Sequence, residues 1–262
     1  MERAMRLKIF ARSLFLQSCW SYERMQGLGL AYCLEPWLKR CYGDDSEGRR
    51  RALARHQEFF NTQPYMASFV IGALCGIEEE ACGASQAAGE GLFLKMRALK
   101  SSVACALAAI GDALFWGALR SFCAALSAAL AVCLWRAGSS GGLLLLVPAA
   151  YLAAYDAPSL LLRWRGIAVG FERREGLVLA LKEFPWQAWI KGLRWAGTAL
   201  ALAAVALALT SPLPTPGLRW EGAAAFAAAG AAFKLAPGVS AWKLYAAVCV
   251  MGSLAAAAGW ML

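Results

Sequence analysis

The amino-acid sequence predicts an all-α membrane protein, with N-terminal amphipathic or re-entrant helices followed by a polytopic bundle with broken helices. Of its 262 residues, 60% are hydrophobic and only 16% are charged. The mean hydropathy is +0.50, and both values lie outside the ordinary range of soluble proteins. Residues 195–218 carry no charged side chain, and residues 241–262 carry only Lys243. Each run is long enough to cross a hydrocarbon core of about 30 Å.

The formal net charge of +9 does not indicate a nucleic-acid partner, because the basic residues flank apolar runs instead of lining one helix face. They read as signals of membrane orientation. Residues 163–194 contain seven lysines and arginines, whereas residues 210–221 contain only Arg219. The positive-inside rule therefore predicts that 163–194 faces the cytoplasm and 210–221 faces the opposite side.

Two regions are predicted, an interfacial and re-entrant helical region at 1–98 and a polytopic region at 99–262. In the first, apolar residues at helical spacing over 15–28 predict an amphipathic helix. Residues 43–46 supply a turn and an N-cap for a helix over 49–60. After a break at 61–64, the apolar run 65–77 is too short to span. Because it ends in three glutamates, we expect a re-entrant or half-buried helix whose acidic end reaches water or a partner.

The second region begins with a long apolar stretch, 101–135, that contains Asp112 and Arg120. One straight helix would place both charges in hydrocarbon, at a cost of about 3 kcal/mol each. This predicts a broken or hairpin element in which the two groups face a polar cavity or each other. Further apolar runs lie at 143–162, 193–209, 223–233 and 242–262.

Motifs of soluble catalysis are missing from the sequence. It has no G-x-G-x-x-G, no Walker loop and no H-E-x-x-H, and its nine cysteines form no C-x-x-C pair. We therefore expect no catalytic residue, no cofactor and no metal.

Four motifs give the sequence a specific resemblance. They are WSYERMQ at 20–26, RHQEFFNTQPY at 55–65, EEE at 78–80 and GDALFWGALR at 111–120. In this order and at this spacing they resemble the enzyme IID family of mannose/fructose/sorbose phosphotransferase (PTS) permeases. A fifth stretch, 163–170, resembles the R-x-x-G-x-x-x-G pattern of that family.

The resemblance implies a membrane subunit of a phosphoenolpyruvate-dependent sugar permease in the bacterial cytoplasmic membrane, with several spans. Its expected partners are a IIC membrane subunit, soluble IIB and IIA subunits that carry the phosphoryl group, a hexose-type sugar and the lipid bilayer. The IIC–IID pair is expected to form a homo-oligomer. The alternative is a divergent, transport-inactive scaffold or regulator, because Ala113 and Ser121 stand where the family has prolines and the 210–220 connection is short.

The predicted site residues lie in the four motifs. His56 is expected to hydrogen-bond near Glu58 and not to carry a phosphoryl group. Asn61 and Gln63 fit either helix capping or the sugar pathway. Asp112 fits either sugar contact or a pair with Arg120. The full set for the substrate pathway or subunit interface is Trp20, Glu23, Arg24, Gln26, His56, Asn61, Gln63, Glu78, Glu79, Asp112, Trp116 and Arg120.

The sequence leaves two alternatives open for Glu23 and Arg24, and two for Trp116. Glu23 and Arg24 are either a solvated pair on a helix or polar contacts at a subunit interface. Trp116 either stacks on a sugar face or packs in the core.

Overall fold

The computed structural model describes residues 1–139 and 141–209. Within them the chain is helical, and the β-structure is limited to isolated bridges that join Met25 to Ser21 and to Phe60. The chain divides into two compact units, 1–202 and 203–262. The predicted runs at 223–233 and 242–262 and the connection at 210–221 lie outside the described residues. The predicted class, an all-α membrane protein, is confirmed by the helical content and by three long apolar helices.

Four helices form the N-terminal part of the chain. They are α1 (Arg3–Ser13), α2 (Gly27–Tyr42), α3 (Ser46–His56) and α4 (Ala67–Cys82). The predicted N-cap before α3 is confirmed, because the Asp45 carboxylate accepts a hydrogen bond from the Gly48 amide at 2.8 Å. The predicted end at residue 60 was wrong, since α3 stops at His56 and Phe60 instead bridges to Met25.

The amphipathic helix predicted over 15–28 was also wrong. Residues 14–26 form turns and a tight bridge in which Met25 takes a positive φ of 50°. The backbone N–H of Gln26 donates to the Phe60 carbonyl, and the backbone N–H of Phe60 donates to the Arg24 carbonyl. These contacts between distant parts of the chain outweigh the local helical periodicity.

The remaining helices follow in one long series. They are α5 (Gln86–Ala98), a first π segment (Leu99–Val103), α6 (Ala104–Gly111), a second π segment (Asp112–Leu119), α7 (Arg120–Arg136), α8 (Gly141–Leu144), α9 (Leu146–Arg173), α10 (Leu177–Glu183) and α11 (Trp186–Leu209). Three stretches are long and apolar enough to span a membrane, namely Ala88–Arg136, Gly141–Glu183 and Trp186–Ala208.

The helix from Ala88 to Arg136 is continuous over 49 residues. The predicted hairpin or break at Gly111 and Asp112 was therefore wrong. Ala113 and Ser121 both keep the backbone N–H that a proline would lack, so helical hydrogen bonding continues. The interruption consists of the two π segments, which change the hydrogen-bond register without ending the helix. This helix continues across residues 98 and 99. The division of the chain into an interfacial region, 1–98, and a polytopic region, 99–262, therefore stays a prediction.

α4 is the buried centre of the first unit. All twelve residues from Ala67 to Glu78 are buried inside the protein, and the expected re-entrant or half-buried position of this helix in the membrane stays a prediction. α2 packs on one side, where the Trp37 indole nitrogen donates to the Cys75 carbonyl at 2.7 Å. The acidic end does reach the surface at Glu79 and Glu80.

α9 packs on the other side of α4 through glycines on both helices. A Cβ atom added to Gly72 would lie 2.2 Å from the Ile167 carbonyl oxygen, and one added to Gly170 would lie 2.1 Å from the Phe69 carbonyl oxygen. Gly166 belongs to the same contact, because its added Cβ would meet the Ser68 hydroxyl. The two backbones therefore touch directly, as in small-residue helix crossings of membrane proteins.

Candidate functional site

A polar cleft of about 810 Å³ lies where the first two sequence motifs meet the long helix. Three predicted residues line it, Glu23, Arg24 and Asn61, and all three are exposed. The structure thus brings together side chains that are almost forty residues apart in the sequence. The other lining residues are Ala54, Gln57, Glu58, Phe59, Arg97, Lys100, Ser101, Ala104 and Cys105.

Gln26 holds the two walls of the cleft together. Its side chain is only 1% exposed. The amide nitrogen donates to the Thr62 carbonyl at 2.8 Å, and the amide oxygen accepts from the Thr62 backbone nitrogen at 3.1 Å. The Thr62 hydroxyl in turn donates to the Ala104 carbonyl at 2.8 Å. Gln26 therefore acts on the cleft by positioning its walls.

The structure places Asn61 and Gln63 in different surroundings, although the sequence left the same two alternatives open for both. Gln63 is buried, and its side-chain oxygen accepts from the backbone nitrogens of Tyr65 and Met66 at 2.8 and 3.1 Å, ahead of α4. Gly111 allows its close approach, because a Cβ there would lie 2.5 Å from the Gln63 Cβ. The Gln63 side chain thus stabilises the turn that leads into α4, whereas Asn61 lines the cleft.

One lysine that lines the cleft was not among the residues predicted from the sequence. Lys100 is only 6% exposed. Its ammonium donates to the Arg55 carbonyl at 2.6 Å and to the Glu58 carboxylate at 3.2 Å. The signal for it was present, since Lys100 directly precedes the apolar stretch that starts at residue 101.

His56 does not contact Glu58, contrary to our expectation. Its Nε2 lies 2.7 Å from Glu78 Oε1, and both side chains are fully buried. Arg55 donates to both carboxylate oxygens of Glu78 at 2.8 Å, and the Tyr42 hydroxyl donates to one of them, also at 2.8 Å. Glu78 is therefore fixed by three neighbours, in the bidentate geometry that suits a buried carboxylate.

The charge states of this cluster follow from its surroundings. Burial lowers the pKa of His56, although the Glu78 carboxylate opposes that effect. Burial alone would raise the pKa of Glu78, but hydrogen bonds from His56 and Arg55 outweigh it and lower the pKa to about 2. We therefore assign a neutral His56 that donates from Nε2 and an ionised Glu78.

Glu79 belongs to a different contact. Together with Glu80 it pairs with Arg174, which follows α9, and the Glu79–Arg174 distance is 3.5 Å. Trp20 is 45% exposed and packs edge-on against Tyr22, outside the lining of the cleft.

Asp112, Trp116 and Arg120 form an exposed stripe on the long helix. The Asp112–Arg120 pair, one of the two alternatives for Asp112, is not formed, because eight residues of continuous helix separate the two side chains along the axis. Within the described residues no cation lies within 4 Å of the Asp112 carboxylate. The Arg120 guanidinium instead lies over the Trp116 ring, 5.9 Å from its centroid, and the ring is 47% exposed.

The cleft and this stripe share one side of the helix. Ser101 and Cys105 line the cleft, and exposed positions then recur at Ala109, Asp112 and Trp116. A spacing of three or four residues keeps them on one face. Across the described part of the chain, no group of three His, Cys, Asp or Glu side chains could hold a metal ion.

These features define the class of the protein. It is a polytopic membrane protein with a polar surface on one face of a membrane helix. The match to a family model is more specific. Residues 1–212 match the model for the PTS system mannose/fructose/sorbose family IID component, and the chain belongs to that family.

Curated relatives agree with this assignment. The chain is 33% identical over 165 residues to the PTS system mannose-specific EIID component of Escherichia coli strain K12, which covers 63% of this chain and 54% of the relative. It is 35% identical over 172 residues to the sorbose-specific EIID component of Lacticaseibacillus casei, covering 65% and 56%. The matched part thus spans little more than half the length of these relatives.

Two solved structures share the fold. A structure described as a membrane protein superposes with a TM-score of 0.67 at 25% identity, covering 98% of this chain and 97% of the other. A cryo-EM structure of the mannose transporter ManYZ with microcin E492 gives a TM-score of 0.57 at 24% identity, covering 99% and 97%. The second likeness shows the fold alone.

Proposed function

We propose that this protein is the IID subunit of a phosphoenolpyruvate-dependent sugar permease in the bacterial cytoplasmic membrane. It forms the translocation unit for a hexose-type sugar together with a IIC membrane subunit. Phosphoryl transfer belongs to separate IIA and IIB subunits, and this subunit breaks no bond itself. The IIC–IID pair assembles as a homo-oligomer.

The observation that carries the proposal is the exposed stripe of Asp112, Trp116 and Arg120. Unpaired charges on the surface of a membrane helix are costly in lipid, by about 3 kcal/mol each at the bilayer centre. A second polar surface therefore covers them in the working assembly, and a IIC subunit is the partner that family membership favours. The stripe begins at the cleft, where carboxylate, amide and guanidinium groups suit sugar hydroxyls.

Labelled-sugar uptake with a co-expressed IIC subunit tests this proposal. We expect Asp112→Asn to reduce the uptake rate at least tenfold at unchanged membrane abundance, because the amide lacks the charge that the partner surface complements. Asp44→Asn is the matched control, since Asp44 is exposed in the turn before α3 and distant in sequence from the stripe. Unchanged uptake in Asp112→Asn would remove this residue from the pathway.

The scaffold alternative is favoured by one observation. The long helix continues through Gly111 and Asp112 with Ala113 and Ser121 in place of the family's prolines. The same uptake assay tests this alternative. The protein is a scaffold or regulator if it co-purifies with IIC but supports no uptake of any hexose, and if Ala113→Pro does not restore uptake.

A further inference from the structure

A second groove, of about 480 Å³, lies on another face of the long helix. Its apolar wall includes Val103, Ala106 and Ile110 on one side and Val178 and Leu181 of α10 on the other. The spacing of Val103, Ala106 and Ile110 places them on one helix face, adjacent to the face that carries the polar stripe. None of the twelve predicted site residues lines this groove.

The groove combines an apolar lining with a single charge. Most of the lining side chains are apolar, and the one charged residue among them is Lys182. Lys182 is exposed, and within residues 1–139 and 141–209 no carboxylate lies within 4 Å of its ammonium. A largely apolar groove that includes one cation without a carboxylate partner complements a ligand with an apolar tail and an anionic head.

The position of the groove selects a lipid as that ligand. It opens where the second candidate span ends, at Glu183, and the third begins, at Trp186. Trp186 is buried, donates from its indole nitrogen to the Leu181 carbonyl at 2.8 Å and stacks on Phe184. Aromatic and basic residues at the ends of spans are typical of headgroup depth.

We propose that this groove binds one anionic glycerophospholipid, with an acyl chain along Val103, Ala106 and Ile110 and the phosphate at Lys182. Residues 163–194 hold seven basic against three acidic residues. The positive-inside rule therefore places this end of the helices at the cytoplasmic leaflet, where anionic lipids concentrate. The inference rests on membrane residence and not on sugar transport.

Native mass spectrometry of the purified full-length protein in detergent tests the site, with phosphatidylglycerol and phosphatidylcholine titrated at matched chain length. We expect one tightly retained phosphatidylglycerol. Lys182→Gln should weaken its binding about fivefold, the effect of one lysine on an anionic headgroup, and should leave phosphatidylcholine unchanged. Ala106→Phe, which fills the groove, should weaken the binding of both lipids.

Two matched variants separate the groove from the general surface. Lys191→Gln removes an exposed lysine that does not line the groove, and Ala128→Phe adds the same ring at an exposed position of α7. If Lys191→Gln weakens phosphatidylglycerol as much as Lys182→Gln does, the binding is diffuse surface attraction and the proposal fails. It also fails if Ala106→Phe retains lipid normally. If that variant retains lipid but loses a co-expressed IIC subunit, the groove is a protein interface instead.

Discussion

At the scale of single residues, burial separates three adjacent glutamates that look alike in the sequence. Glu78 is fully buried among Tyr42, Arg55 and His56, whereas Glu79 and Glu80 pair with Arg174 near the surface. Consecutive helical residues point about 100° apart. Periodicity could not decide which of them faces inward, because α4 is buried on all sides up to Glu78.

Glu78→Gln should destabilise the protein by about 3 kcal/mol, because the substitution leaves the Arg55 guanidinium largely buried without its counter-charge. Thermal unfolding in detergent would show this as a fall of several degrees in the melting temperature. Glu79→Gln is the control at the next position, where the carboxylate is 43% exposed, and its effect should stay below about 1 kcal/mol. Equal losses in the two variants would contradict a special role for the buried cluster.

Acid should destabilise the same cluster in two steps. His56 and Glu78 both have folded-state pKa values below their ordinary values of 6.5 and 4.5. The unfolded chain therefore binds more protons than the folded one within each window. Stability should fall as the pH drops below about 6.5 through His56, and again from about 4.5 towards 2 through Glu78.

Thermal unfolding across pH 7.5 to 3 measures this dependence. His56→Gln should flatten the upper part of the profile and Glu78→Gln the lower part. A profile that is the same in both variants and in the unaltered protein would show that other groups control acid sensitivity.

At the scale of elements, the sequence predicted what short-range patterns determine. The Asp45 N-cap and the apolar helices ending near residues 136 and 209 follow from capping chemistry and hydropathy, whereas α9 continues to Arg173, beyond the predicted apolar run 143–162. The turn at 14–26 was missed because Gln26 pairs with Thr62, 36 residues away. Hydrogen bonds over that distance leave no periodic signal, and the same reason hid the grouping of Glu23 and Asn61 in one cleft.

Gly170→Ala tests the crossing of α4 and α9. The new Cβ would lie 2.1 Å from the Phe69 carbonyl oxygen, so the two backbones must separate, at a cost of about 1–3 kcal/mol. Thermal unfolding should show that loss. Gly91→Ala is the control, because an added Cβ there meets nothing within 4 Å and should stabilise α5 by up to about 1 kcal/mol. Full stability in Gly170→Ala would mean that the helices do not depend on this close approach.

At the scale of the whole molecule, composition predicted membrane residence correctly, but hydropathy alone did not give the length of the first span. The helix from Ala88 to Arg136 has 49 residues, or about 74 Å at 1.5 Å per residue, against a hydrocarbon core of about 30 Å. Its first part carries Glu90, Lys95, Arg97 and Lys100 and therefore lies outside the hydrocarbon.

The three spans and the positive-inside rule together predict an orientation for residues 1–202. With the basic segment 163–194 in the cytoplasm, the junction between α10 and α11 and the N-terminal helices lie on that side, and the connection after Arg136 lies outside. Ala137→Cys should therefore react with a membrane-impermeant maleimide in intact cells, whereas Glu183→Cys should react only after the membrane is opened. Peptide-level mass spectrometry distinguishes these thiols from the native cysteines. Labelling of Glu183→Cys in intact cells, with Ala137→Cys protected, would reverse the orientation and place the lipid groove at the outer leaflet.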